Sequence, residues 1–455
     1  MLVAGTYFME ILDGTILSTA APDIARSLGV RPADVGVAIT TYLITLAVLI
    51  PLSGWLADRW GTRTVFVTAI ALFSVSSGLC ALSTTLPELA ALRVLQGAGG
   101  AMMVPVGRLV VLRGTAKHDL IRAIAFLTWP ALVAPIAAPL AGGLLTTYLS
   151  WHWIFLVNLP LGALALACAV RLVPQLRAPT RRPMDWWGFA QTSGCLAALV
   201  LAMSALGSSP IDWPLVAVSG TCALALAATS ARHLLRDEHP LLDLRVFRIR
   251  TFRLSHASGG VFRATVYAVP FVLPLLFQEA FGWSPVKAGA MVMAVFAGNL
   301  AVKPATTAIL RRWRFRTVIV ASVLVVSATM LLCAVVGPGT PPAVLVALLV
   351  VSGAARSVGF TAYGTLAFAD VDTPRMTSAN TLSATLQQLA GGLGVAIGAL
   401  GLQVGASTGT QSPSMPYRIT FVLLAALTLT CLVEALRTGD DAGHQLRATA
   451  RRPRA

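Results

Sequence analysis

Apolar runs long enough to cross a bilayer recur from one end of the chain to the other, separated by short polar connections. A spanning helix needs about 20 predominantly apolar residues. Measured against that length, the pattern predicts fourteen spans, at about 2–22, 33–55, 64–83, 87–111, 120–146, 151–172, 186–206, 212–232, 253–278, 284–308, 317–336, 341–365, 377–402 and 418–437. The two longest connections on one side, 173–185 and 233–251, bracket a single pair of helices. The expected fold class is an all-α polytopic membrane protein with fourteen transmembrane helices arranged 6+2+6. Residues 1–172 are expected to form an N-terminal six-helix bundle and 173–252 a linker with two additional spans. A C-terminal six-helix bundle follows over 253–437, then a basic tail over 438–455.

One stretch departs from the apolar pattern. Tyr7–Pro22 is hydrophobic enough to span, yet it carries Glu10 and Asp13. A carboxylate in mid-membrane is costly and normally faces a bundle interior or a water-filled path. Three residues apart, the two acids share a helix face. A cleaved signal peptide begins with a basic segment and a short apolar core. No Lys or Arg precedes Arg26 here, and two acids interrupt the run. The stretch is therefore expected to stay as span 1, with a short cytoplasmic lead-in missing ahead of it.

Charge then orients the spans. Only 11% of the residues are charged and 56% are hydrophobic, against about 25% charged in a soluble domain. The net charge of +16 would suggest nucleic acid in a soluble protein, but its distribution gives another reason. Of the 34 Lys and Arg, 25 lie in the connections after even-numbered spans and in the tail, and 4 lie in the opposite connections. The remaining five are inside spans: Arg93, Arg108, Arg263, Lys303 and Arg356. Positive charge marks the cytoplasmic side, so both termini are expected in the cytoplasm of a cell (inner or plasma) membrane protein, with no nucleic-acid partner. The six Cys lie in apolar runs without a CxxC spacing and read as small buried hydrophobes. Trp151, Trp153, Trp186, Trp187, Trp213, Trp283 and Trp313 fall at span ends and read as interfacial anchors. There is no GxxxxGK[ST], HExxH or GxSxG, and no two histidines face each other at mid-membrane. The pattern argues against an ATP-driven pump, a membrane hydrolase and a haem subunit. No enzyme activity, cofactor or metal is expected.

The most specific polar stretch is GWLADRWGTR, Gly54–Arg63, read as a tight loop after span 2. Gly54 lets helices approach and Gly61 permits a turn with positive φ. Asp58 can cap a helix N-terminus or pair with Arg59, Arg63 or a neighbouring helix. Such a group acts as a lock that holds one conformation, or as a plain charged loop. This stretch resembles the signature loop of the major facilitator superfamily. LRVLQGAGGA (92–101) resembles that family's span-4 motif, and APIAAPLAGG (134–143) its span-5 antiporter motif. LDGTILSTAAPDI (12–24), SWHWIFLVNLPLG (150–162) and LLDLRVFRIRTF (241–252) are similar to segments of its fourteen-helix drug:proton antiporter branch. The resemblance covers nearly the whole chain. It departs at Ala134 and Ala138, which stand where the antiporter motif usually has Gly. It departs again at AILRRWRFRT (308–317), where the second-half counterpart of the signature loop has lost its Asp and Gly.

The resemblance implies a proton-coupled exporter, with multidrug or amphipathic substrates as the family default and the proton gradient as its energy source. It implies a lock at Gly54, Asp58, Arg59, Gly61 and Arg63, and a helix-bending motif at Pro135, Pro139, Gly142 and Gly143. It assigns Asp13 as the proton acceptor and gives Arg93 a part in proton transfer. Glu10, nearer the inner end of span 1, is the second candidate acceptor from its position alone, with a solvated or capping acid as the competing role. On physical grounds a buried guanidinium needs a partner, which a structural ion pair or backbone carbonyls also supply. Gln96, Arg263, Asn299, Lys303, Arg356 and Gln387 are candidates for a substrate cavity, and helix–helix hydrogen bonding is the competing role for each. Arg108, near the inner end of span 4, is expected to snorkel. Five interior cations against two acids also suit an organic anion or carboxylate metabolite, metal-complexed or free, as substrate. A non-transporting scaffold is the reading from another class. The expected partners are a small-molecule substrate, protons and the lipid bilayer.

Overall fold

A computed structural model describes residues 2–30, 35–116, 119–177, 183–206, 211–238, 240–283, 285–406 and 412–437. The apolar runs fold as helices because, in lipid, backbone N–H and C=O groups must be satisfied within the segment. The N-terminal part contains α1 (Leu2–Leu28), α2 (Gly36–Leu49), α3 (Leu52–Trp60), α4 (Thr62–Cys80), α5 (Leu86–Gly114), α6 (Leu120–Tyr148), α7 (Trp153–Leu156) and α8 (Asn158–Leu172). A pair follows, α9 (Trp186–Leu206) and α10 (Trp213–Arg236). The C-terminal part contains α11 (Arg250–Leu275, continued by a π-helical turn to Ala280), α12 (Pro285–Ala301), α13 (Lys303–Arg312), α14 (Phe315–Val335), α15 (Pro342–Ala369), α16 (Met376–Ala406) and α17 (Met415–Arg437).

Fourteen spans result. Ten are long and apolar enough on their own, with α7 and α8 together forming one of them, Trp153–Leu172. Two more are broken: α2 and α3 meet at 58°, and α12 and α13 at 48°. Pro51 stands at the first break, and a proline opens the first turn of α13 at the second. A proline removes a backbone donor and clashes with the preceding turn, so each span bends there. The remaining two spans are α1, of 27 residues, and α6, of 29.

The two bent spans occupy the second place in each six-span set, and the packing repeats in the same way. In the first set α1 packs on α6, α2 on α5, α4 on α5 and α4 on α8. In the second, α11 packs on α16, α12 on α15, α14 on α15 and α14 on α17. The pair α9 and α10 pack on each other, and α9 lies against both α2 and α16. Ser193 on α9 donates to the Val48 carbonyl at 2.8 Å. Backbones approach closely where glycines face each other. A Cβ on Gly298 would collide with the Val350 carbonyl oxygen, and one on Gly353 with the Val295 carbonyl oxygen. Small residues at such crossings are the usual route to tight helix packing in lipid.

Two sequence expectations need correction here. Trp153, Trp186, Trp187, Trp213 and Trp313 are exposed at span ends, but Trp151 is buried in the core beside Phe155. Cys80, Cys333 and Cys431 are buried, Cys168 and Cys195 are half-buried, and Cys222 is exposed on α10.

Candidate functional site

Span 1 places Asp13 against side chains of two other helices, α5 and α8. Asp13 is 2% exposed, and Arg93, Gln96 and Asn158 are 0% exposed. Arg93 Nη1, from α5, reaches Asp13 Oδ2 at 2.5 Å. Gln96 Nε2 donates to Asp13 Oδ1 at 2.8 Å, and Asn158 Nδ2, from the start of α8, donates to the same oxygen at 2.9 Å. Arg93 and Gln96 sit three residues apart on one face of α5 and brace each other, with Arg93 Nη1 donating to Gln96 Oε1 at 2.7 Å. Asn158 also reaches Ser77 Oγ of α4 at 3.0 Å, and Ser77 Oγ donates to the Phe155 carbonyl at 2.9 Å. The guanidinium carbon of Arg93 lies 4.0 Å from the centroid of the Tyr42 ring, within cation–π range.

Three N–H donors thus converge on one carboxyl group. An ionised carboxylate is an acceptor only, so this set is its complement. Oδ1 accepts two bonds, one from α5 and one from α8, and Oδ2 accepts one from Arg93, so a proton on the carboxyl removes the charge that Arg93 answers and disturbs contacts shared by α1, α5 and α8. Protonation is therefore tied mechanically to the spacing of α1, α5 and α8. Glu10, one turn earlier, is half-buried near Gly100 and makes no hydrogen bond or ion pair among the described residues. It does not join the Asp13 network.

The signature stretch is mostly helical rather than a loop. Nothing between Pro51 and Gly61 breaks a helix, so α3 runs to Trp60 and only Gly61 turns, at φ 93°. Asp58 therefore caps no helix. It accepts from Arg113 Nη2 of α5 at 2.9 Å and from Thr377 Oγ1 of α16 at 3.2 Å, and Arg113 also donates to Thr377. Neither Arg59 nor Arg63 is its partner in these contacts. Arg59 lies over the Trp55 ring at 5.3 Å, and Arg63 donates to the Val170 carbonyl. Gly54 faces Thr377 and Thr381 of α16 with no room for a Cβ. Nearby, Asn380 Nδ2 of α16 donates to the Pro105 carbonyl of α5 at 2.9 Å. The two six-span sets are clamped together at this face. On the second-half counterpart, Arg311 lies 3.9 Å from Asp119, an ion pair across the sets, whereas Asp58 and Arg113 both belong to the first set and reach the second through Thr377.

The cavity candidates divide. Arg263 of α11 and Gln387 of α16 line a narrow recess with His256, Tyr363 and Ser383. Gln96 belongs to the Asp13 network, because its α5 position faces span 1. Arg356 is 2% exposed and donates to the Val266 carbonyl, which is a helix-bracing role. Lys303 is 8% exposed and reaches Thr361 Oγ1 at 3.1 Å. Asn299 is buried with its Oδ1 unpartnered. Arg108 does not snorkel. It is 9% exposed and lies across the Phe368 ring of α15 at 5.0 Å, because its face of α5 meets the other six-span set rather than lipid. Gly142 is buried in α6. The side chains of Pro135 and Pro139, and the Gly143 position, lie outside the described residues. A larger cleft of about 580 Å³ is lined by Leu2, Val3, Val110, Phe126 and Leu172 among others. It is mostly apolar, with Thr115, Asp119 and Arg122 on its wall, and it begins nine residues along α1 from Asp13, away from the Asp13 network.

Asn158 and Ser77 are the residues that sequence reasoning missed. Their available signal was an amide in the stretch SWHWIFLVNLPLG and a hydroxyl in an apolar run.

A family model described as Major Facilitator Superfamily matches residues 3–395 and 257–453. Proteins named multidrug resistance protein MdtD are similar along most of the chain. The one from Cronobacter sakazakii is 40% identical over 402 residues, covering 88% of this chain and 84% of its own. The one from Escherichia coli O6:H1 is 36% identical over 461 residues, covering 100% of this chain and 97% of its own. Among solved structures, the proton:xylose symporter XylE superposes with a TM-score of 0.65 at 12% identity, covering 98% of this chain and 97% of its own. The human organic anion transporter MFSD10 superposes with a TM-score of 0.66 at 16% identity, covering 95% and 98%.

Proposed function

The chain belongs to the Major Facilitator Superfamily, and from that premise we propose that it is a proton-coupled exporter working by alternating access. The observation that carries the proposal is the buried Asp13–Arg93 pair with its amide donors from α5 and α8. In the held state Asp13 is clasped by these three donors. A proton arriving from outside cancels the Asp13 charge that holds Arg93, loosens α1 from α5 and α8, and favours release of the outgoing substrate. The lock of Asp58, Arg113 and Thr377 closes the other end of the path. The 25:4 distribution of positive charge supports placing that end, and both termini, in the cytoplasm. Relatives named for multidrug resistance support amphipathic compounds as the substrates.

A second substrate reading, export of an organic anion, draws support from two interior guanidiniums, Arg108 and Arg263, that have no carboxylate partner among the described residues. The test is transport into inverted membrane vesicles under an imposed pH gradient, with cationic dyes and organic carboxylates as competing substrates. The proposal expects uptake that a protonophore collapses. Uptake of every tested compound at the rate of vesicles lacking the protein would refute it.

A further inference from the structure

Helix α11 carries two internal prolines, Pro270 and Pro274, and runs on into a π-helical turn over Leu276–Ala280. A proline has no N–H to give to the carbonyl four residues earlier. Pro270 therefore frees the carbonyl of Val266. Val266 is buried, so an unmet carbonyl there is costly. The missing donor comes from another helix. Arg356 of α15 donates through Nη2 to that same Val266 carbonyl. The match also accounts for a cation without a counter-ion. Arg356 is buried, its Nε has no hydrogen-bond partner, and no carboxylate pairs with it among the described residues. A buried guanidinium is costly unless something answers its charge. The hydrogen-bond ladder of α11 is interrupted at Pro270, so the turn before it presents carbonyls as a helix C-terminus does, and a cation is favoured there. The helix is fastened on both sides of this point. On the N-terminal side, Ser258 Oγ and Tyr363 Oη of α15 share a hydrogen bond of 2.7 Å, and Cys431 Sγ of α17 donates to the Ser258 carbonyl at 3.3 Å. On the C-terminal side, Tyr417 Oη of α17 donates to Glu279 Oε2 at 2.5 Å.

We propose that Arg356 is a positioning residue for the transport cycle: it sets the lean of residues 271–280 by holding the carbonyl that Pro270 frees. Prolines and π turns are where long helices bend, and here both fall within one stretch of α11. Swinging the C-terminal part of α11 about Pro270 strips the Val266 carbonyl of its donor and the guanidinium of its acceptor at once. Arg356 therefore latches the hinge in the form seen here. The part played by the hinge in alternating access rests on the exporter reading. The latch itself is a property of α11 and α15.

The experiment is amide hydrogen exchange read by mass spectrometry on the full-length protein in lipid nanodiscs. Arg356→Met removes the donor and leaves the Val266 carbonyl unmet. It is expected to speed exchange over residues 271–280 about tenfold and to leave α4, in the other six-span set, unchanged. Arg356→Lys keeps a cation and a donor and is expected to retain most of the protection. Pro270→Ala restores a helical N–H to the Val266 carbonyl. Adding Arg356→Met to Pro270→Ala is therefore expected to change exchange by less than about twofold. Unchanged exchange over 271–280 in Arg356→Met overturns the latch, and so does an increase spread evenly over the chain. A tenfold increase on adding Arg356→Met to Pro270→Ala does the same, because the arginine would then act on something other than the freed carbonyl. Should Arg356→Met alone fail to fold, Pro270→Ala with and without it decides the question by that comparison. Exchange needs neither substrate nor a proton gradient, so failure here is distinct from failure of proton-driven transport.

Discussion

Removing Arg93 while keeping Asp13 is expected to cost far more than the change in side-chain size suggests. The two side chains are 0% and 1% exposed and 2.5 Å apart. In Arg93→Met, Asp13 keeps the amide donors of Gln96 and Asn158 but loses the only cation within hydrogen-bonding reach among the described residues. Stranding one member of a buried ion pair costs about 3–5 kcal/mol. An unfolding entropy of roughly 2.1 cal/mol/K per residue amounts to ~1 kcal/mol/K for the 455-residue chain. The corresponding fall in Tm is about 3–5 °C. Adding Asp13→Asn removes the stranded charge and keeps the shape of the acid, so the double variant is expected to recover most of the loss. The assay is thermal unfolding of the unaltered protein, both single variants and the double variant, purified full-length in detergent. A coupling of about 2 kcal/mol or more between the two positions is predicted. Additive losses, with the double variant as unstable as the sum of the singles, would refute the argument that these charges exist to satisfy each other.

Other outcomes follow from the same structure. Gly353→Ala places a methyl group against the Val295 carbonyl and is expected to destabilise the α12–α15 crossing by about 1–3 kcal/mol; an unchanged melting temperature would contradict the packing. Asp58→Asn weakens a partly exposed pair worth about 1 kcal/mol, enough for roughly fivefold more opening of the clamp. A thiol introduced by Thr381→Cys should label correspondingly faster, and an unchanged rate would show that Asp58 holds nothing. Asn158→Ala leaves Ser77 and one Asp13 oxygen short of a donor. It is expected to cost about 1–3 kcal/mol and to slow gradient-driven transport, with partial rescue by Asn158→Gln; transport at the unaltered rate would remove Asn158 from the proton site.

Much of the fold was legible because lipid imposes one requirement on every span, and hydropathy reports it directly. The bends were foreshadowed by Pro51 and Pro304. The helical nature of Leu52–Trp60 was not, since polar residues in a short connection read as a loop although nothing in SGWLADRW stops a helix. The repeated pairing of the two six-span sets left little trace in the sequence, because helix-facing and lipid-facing positions are equally apolar. Charges were easier to find than to pair. Asp13 and Arg93 stood out as ions in apolar runs, yet the sequence does not say that they meet, being 80 residues apart. Asp58 was expected to use Arg59, Arg63 or a neighbouring helix, and its partners lie 55 and 319 residues away. Arg108 was misread because distance from a span end does not reveal which face of the helix the residue occupies. Asn158 carries no charge and barely changes hydropathy, so only its position in a recognisable motif marked it.

The central claim is that Asp13 carries the coupled proton, and Asp13→Asn tests it most directly. In inverted vesicles, the variant is expected to lose uphill, pH-gradient-driven uptake while still equilibrating substrate down its own gradient. Uphill uptake at the full rate in Asp13→Asn, abolished by a protonophore as in the unaltered protein, would contradict the account.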